Sequence, residues 1–146
     1  MGEAFLVANT TKKEYIYPHA FGDGYKLPEI LYSAQGTLAA LGVLLLEPQA
    51  TDHGLVTRIK GDPIWFARIV GRWCRCDIAI AGEYSIAEGN VTSLNLYETA
   101  KEGFVDISYF VRKACGATIT NGYFWAVEEP PFVYDEATAL FKPREP

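Results

Sequence analysis

The sequence predicts an α+β single domain, a mainly antiparallel sheet packed against two or three helices. Three observations predict it. Hairpin signals stand near both ends, at residues 4–17 and 118–125. Helical periodicities fill the middle, and strands and helices do not settle into the regular β-α-β alternation of a parallel sheet. With 146 residues, 49% hydrophobic and 14% aromatic, the chain can bury one core and is too apolar to stay disordered. The domain is expected to span 1–127, and 128–146 reads as an acidic, Pro-rich C-terminal segment docked on the body or on a partner.

Ala4-Phe-Leu-Val-Ala8 is β-prone and Glu14-Tyr-Ile-Tyr17 alternates, with the polar turn Asn9 to Lys13 between them. Pro18 lacks the N–H that a strand needs and ends the second one. Leu27, Ile30, Leu31, Ala34, Leu38, Leu41 and Leu45 repeat at threes and fours, one helical face. Pro28 suits the first turn of a helix and Pro48 forbids continuation. Gly36 and Gly42 each cost roughly 1 kcal/mol inside a helix. Either one helix runs from 28 to 46, or Ser33 to Thr37 is a break with Thr37 capping a second helix; periodicity alone does not choose.

Leu55 to Ile59 reads as a short strand. Asp62-Pro63 is an N-cap followed by proline at the first position, and Gly71 is placed to stop the helix it opens. Ile78-Ala-Ile-Ala alternates large and small, a strand whose smooth alanine face suits a helix packed close against it. Val91 to Tyr97 reads as another strand. Asp106 caps a helix with Ile107, Phe110, Val111, Ala114 and Cys115 in one stripe, Arg112 and Lys113 in its last turn and Gly116 as its stop. Asn121-Gly122, between Thr118-Ile-Thr120 and Tyr123-Phe-Trp125, is a strong hairpin signal. Pro130 and Pro131 favour extension, and Asp135 to Phe141 suits one or two amphipathic turns.

Charge and cysteine content narrow the function classes. Net charge is −5, against general nucleic-acid binding. Residues 1–76 carry eight bases and seven acids, 77–146 five bases and eleven acids. Arg58, Lys60, Arg68, Arg72 and Arg75 face a single acid, Asp62, in sequence, a local basic cluster on an acidic body. The longest apolar run, Leu38 to Leu46, is too short to cross a bilayer, and the N-terminus lacks a basic leader segment. A soluble, cytoplasmic protein is expected. Cys74, Cys76 and Cys115, with His53, are zinc-ligand types, but no pair of Cys-x2-Cys knuckles is present. Free thiols, no metal and no cofactor are expected.

The stretch Tyr15 to Glu29 joins strand to helix through Gly22-Asp23-Gly24, flanked by His19 and Lys26. Glycines beside a cation suit a phosphate nest, although neither a phosphate-loop nor a dinucleotide-fold spacing is present. His19 with Asp23 has the composition of a base and its orienter, without a nucleophile elbow. Arg68, Arg72 and Arg75, interleaved with Trp65 and Trp73, favour anions and stacked rings. The motifs Tyr15-x-x-Pro18-His19-x-Phe21-Gly22-Asp23-Gly24-x-Lys26-Leu27-x-Glu29 and Gly71-Arg72-Trp73 ahead of Ile78 to Tyr84 resemble those of certain short uncharacterised bacterial and phage proteins. The resemblance covers about a third of the chain and implies no activity.

The residues point to a non-catalytic binding protein for an anionic, nucleotide-like small ligand. Its recognition surface is expected to comprise His19, Asp23, Lys26, Arg68, Arg72, Trp73 and Arg75. A protein-interaction module with a host or phage partner, using the aromatic C-terminal segment, is the alternative. A small enzyme using His19 and Asp23 is the third reading. The uncovered apolar residues of the C-terminal segment also lead us to expect a homodimer.

Overall fold

A computed structural model describes residues 3–24, 26–32, 35–47, 61–84, 95–116 and 129–145. Strands β1 (Phe5–Asn9) and β2 (Glu14–Ile16) form the N-terminal hairpin. Pro18 then starts a 3-10 turn, Pro18–Phe21, which Gly22 closes with φ +81°. Helices α1 (Leu27–Leu31) and α2 (Thr37–Leu45) follow, so the 28–46 stretch is two helices. Helix α3 (Pro63–Ile69) precedes strand β3 (Ile78–Gly82). After it come α4 (Leu96–Gly103), the short strand β4 (Val105–Asp106) and α5 (Ser108–Cys115). A separate C-terminal hairpin pairs β5 (Phe132–Asp135) with β6 (Leu140–Pro143).

The main sheet has the order β3-β1-β2-β4, antiparallel except for β2 with β4. Its two faces are dressed differently because strand side chains alternate. Leu6, Ala8, Tyr15 and Ala81 pack under α4 through Tyr97 and Ala100. Ala81 leaves the room for that helix, as the small face of β3 predicts. On the other face Val7 and Ile16 join Val43 and Leu44 of α2, Phe66 and Ile69 of α3, and Phe110, Val111 and Ala114 of α5.

Local signals set most helix starts. The Asp62 carboxylate accepts from the N–H groups of Ile64 and Trp65. Asp106, expected to cap α5, is instead the last residue of β4: the N-cap position is Ile107, which supplies no side-chain cap, and Asp106 reaches past it to accept from Ser108 N–H at 2.9 Å. Gly61 lets α3 start against the end of α5: a Cβ there would lie 2.0 Å from the Ala114 carbonyl oxygen. Three further expectations are corrected. Leu96 and Tyr97 belong to α4, capped by Asn95, which accepts from Glu98 N–H at 2.9 Å; the alternation read as a strand to Tyr97 ends in this helix. Residues 135–141 are strand ends and a turn of the C-terminal hairpin, because Tyr134 and Phe141 must share one face to reach the core. Thr37 is the first residue of α2 and is itself capped from outside, by Asp23. The strand read at 55–59 and the Asn121-Gly122 hairpin lie outside the described residues. No described helix is long and apolar enough to cross a membrane.

Candidate functional site

The basic–aromatic segment is assembled by the end of α2. Among its last carbonyls, those of Val43 and Leu44 accept from Gly71 and Trp73 N–H, both at 2.9 Å, and Val43 also takes the capping N–H of Leu46 at 3.4 Å. This fixes the turn after α3 against the core. Trp73 is fully buried, and its indole N–H donates to Glu14 Oε1 at 2.9 Å. Glu14 stands on the inward face of β2, two residues from Ile16, where an apolar side chain would be expected. Arg72 closes the site. Its Nε donates to both Glu14 oxygens at 3.0 and 3.2 Å, and its Nη2 to Oε2 at 2.5 Å. The two side chains are only 4% and 3% exposed.

Arg72 spends its remaining reach on the C-terminal hairpin. Nη1 donates to the Ala139 carbonyl at 2.8 Å, and the guanidinium lies 4.8 Å from the Phe141 ring centroid. Phe141 in turn stacks on Phe110 at 4.6 Å, and Tyr134 meets Trp65 edge to face at 5.9 Å. The hairpin is therefore held by an aromatic face and by buried charge together.

Arg68, near the end of α3, lies four residues before Arg72, and it is half-buried where Arg72 is buried. Its guanidinium carbon is 4.7 Å from the Trp65 centroid and 4.7 Å from that of Tyr134. It pairs with Glu136, on the turn of the C-terminal hairpin; the arginine side chain is 21% exposed and the glutamate 75%. Lys113 brings a second cation to Trp65, at 5.8 Å. The result is a cation held by two rings, with a carboxylate already seated on it from solvent.

The other expected site residues have separate positions. Arg75 is exposed and ion-paired with Glu47 at 3.3 Å. Lys26 is exposed at the start of α1, where its carbonyl accepts from Glu29 and Ile30. Asp23 is buried, and its carboxylate accepts Thr37 N–H at 2.7 Å, a cap supplied across the chain to α2. The glycine turn is not an open nest. Gly22 and Asp23 N–H are already given to the His19 and Pro18 carbonyls, and the Glu29 carboxylate fills the space at Gly24. Its neighbourhood is acidic. His19 sits half-buried, edge-on to Tyr17 at 6.4 Å; burial lowers its pKa, against an opposing pull from Glu29.

A polar cluster adjoins His19 under α4. The hydroxyls of Tyr17 and Tyr97 are 2.8 Å apart, and Lys101 Nζ lies 4.4 Å above the Tyr17 ring. Burial pushes the Asp106 carboxyl up, against Lys101 and the Ser108 hydrogen bonds. It also raises the Tyr15 phenol, helped by Asp106 and Tyr97. The three cysteines are free thiols, and burial pushes Cys115 up to about 12.

Sequence reasoning thus reached Arg68, Arg72 and Trp73 but missed Glu14, Trp65's ring contacts, Lys113, Tyr134 and Glu136. Trp65 and Arg68, three apart on a helix, carried a local signal. The acid on the inward register of β2 carried another. The hairpin residues carried none, since their contacts cross the whole chain. No family model, curated protein or solved structure matches this chain.

Proposed function

We propose that this is a non-catalytic binding protein that recognises an anionic group at Arg68. One observation carries the reading: Arg68, held between the Trp65 and Tyr134 rings, already binds a carboxylate, and that carboxylate belongs to a mostly exposed side chain. An exposed ion pair of this kind contributes only about 0–1 kcal/mol. A phosphate or carboxylate ligand can therefore displace Glu136 at little cost. Charge-assisted hydrogen bonds to Arg68, with Lys113 beside it, would then add about 1.5–3 kcal/mol each. A nucleotide-like ligand suits the cation and its neighbouring rings.

The reading narrows the surface expected from sequence. Arg72 and Trp73 act on Glu14 and orient the site from beneath. Asp23 caps α2 through Thr37 N–H. Free thiols fit a reducing, cytoplasmic address.

Titration calorimetry with pyrophosphate, ATP and a tetraglutamate peptide tests this. One of these anions should bind, Arg68→Ala should abolish the heat, and Glu136→Gln should tighten binding by removing the internal competitor. Equal affinity in Arg68→Ala, or weaker binding in Glu136→Gln, would refute the site.

A further inference from the structure

We infer that the outer edge of β3 is a docking site for an extended segment of another protein, with an apolar centre and Lys or Arg on both flanks. The inference is independent of the Arg68 reading. Among the described strands β3 ends the sheet, and its ladder to β1 is bounded by Thr10 N–H on the Asp77 carbonyl and Glu83 N–H on the Ala4 carbonyl. With Leu6 opposite Ala81 and Ala8 opposite Ala79, residues 77, 79 and 81 turn their backbone groups toward β1, as does the N–H of Glu83, whose carbonyl accepts from Asn95. Ile78 and Ile80 turn theirs outward, where among the described residues nothing pairs with them. Gly82 is buried beside Glu3 and Phe5 and ends the usable edge.

Open edges are normally blunted by lysine, proline or a bulge. From Ile78 to Gly82 this one carries no charge, no proline and a regular register. Ile80 is 38% exposed and Ala79 is exposed, so the edge adds apolar contact to its backbone groups. Strand addition of this type draws affinity from the main chain and selectivity from flanking side chains.

Charge selects the occupant. Asp77 is exposed at one end; at the other stand Glu83 and Glu3, half-buried, with one oxygen of each carboxylate accepting from Ala4 N–H and Tyr84 N–H respectively. A second copy pairing antiparallel about Ile80 would place Asp77 opposite Glu83 of that copy, at both ends of the pairing. Like charges directly opposite destabilise a pair. The homodimer expected from sequence is thus disfavoured at this edge, whereas a segment with basic flanks meets an acid at each end. The net charge of −5 attracts the same class of partner.

The test uses the full chain and two synthetic peptides, Lys-Lys-Val-Thr-Val-Thr-Lys-Lys and its counterpart with glutamates for lysines. The lysine peptide should shift the Ile78 and Ile80 amide resonances and slow their hydrogen exchange. It should bind at least tenfold more tightly than the glutamate peptide. Asp77→Lys should narrow that ratio at least threefold. Proline at 80 removes only an outward N–H, so Ile80→Pro should abolish binding while the β1 amides stay protected. A lysine peptide N-methylated at its central residues, tried on the unaltered protein, should not bind and gives the same answer without a variant. Overturning results are unshifted Ile78 and Ile80 amides, equal affinity for both charge forms, unimpaired binding of the N-methylated peptide, or a dimer in light scattering that Ile80→Lys dissociates.

Discussion

Glu14 and Arg72, 58 residues apart, form a buried ion pair that ties the N-terminal hairpin to the turn after α3. Through the Ala139 carbonyl the same arginine also holds the C-terminal hairpin. Both Glu14 oxygens are occupied, Oε1 by Arg72 and Trp73 and Oε2 by Arg72. Full pairing is what makes a charge tolerable at an inward strand position.

Removing one partner should therefore cost more than removing both. Arg72→Met leaves Glu14 buried and unpaired and should destabilise the fold by about 3–5 kcal/mol. The double variant Glu14→Leu with Arg72→Met should recover much of that loss. Urea denaturation at constant pH reads all three chains. Additive losses in the double variant would mean that the pair does not act as a unit.

Gly36 and Gly42 should respond in opposite directions. Gly36 has φ +98°, and a Cβ there would lie 2.5 Å from Asp23 Oδ2, so Gly36→Ala should cost about 1–3 kcal/mol. Gly42 lies inside α2 with nothing within 4 Å of a new Cβ, so Gly42→Ala should stabilise by about 0.5–1 kcal/mol. Asp23→Ala removes the cap and should cost about 0.5–2 kcal/mol. Thermal melts distinguish the three.

Asp106 should make stability fall as pH rises. Its carboxyl pKa is raised by burial above the ordinary 3.8, so the fold favours the protonated form. That contribution is fully present below about pH 3.8 and is lost as pH climbs through the raised value. Asp106→Asn keeps an oxygen acceptor for Ser108 N–H. It should be more stable than the parent at pH 7 and hold no advantage at pH 3. A stability difference that does not change between those pH values would remove Asp106 as its source.

Docking of the C-terminal hairpin should depend on Phe141, which is buried against Phe110 and Trp65. Phe141→Ala should cost about 3–5 kcal/mol and shift tryptophan emission to the red as Trp65 meets water. It should also weaken anion binding at Arg68, since Tyr134 shares that hairpin. Unchanged emission would show that the hairpin does not need this ring to dock.

Sequence by itself determined what is local. Pro18 ended a strand, Asp62-Pro63 opened a helix, and the alanine face of β3 announced a close helix, met at Ala81 though not at Ala79, because caps, ring constraints and side-chain alternation act within a few residues. Helix α4 also had a local mark in Asn95 and Glu98, masked by the β-like alternation running into Tyr97. The α+β class followed from the order of these elements. Only the tertiary structure decided what the charged residues do. Arg72 is a core residue, Arg68 is half-buried between two rings and Arg75 is exposed, although all three lie in the same basic run, because Glu14 and the C-terminal hairpin approach from distant parts of the chain. Asp23 caps a helix that starts 14 residues later. An ion pair or a cap depends on where its partner's atoms fall in space, and for these residues the chain between them had to fold before the partner was there.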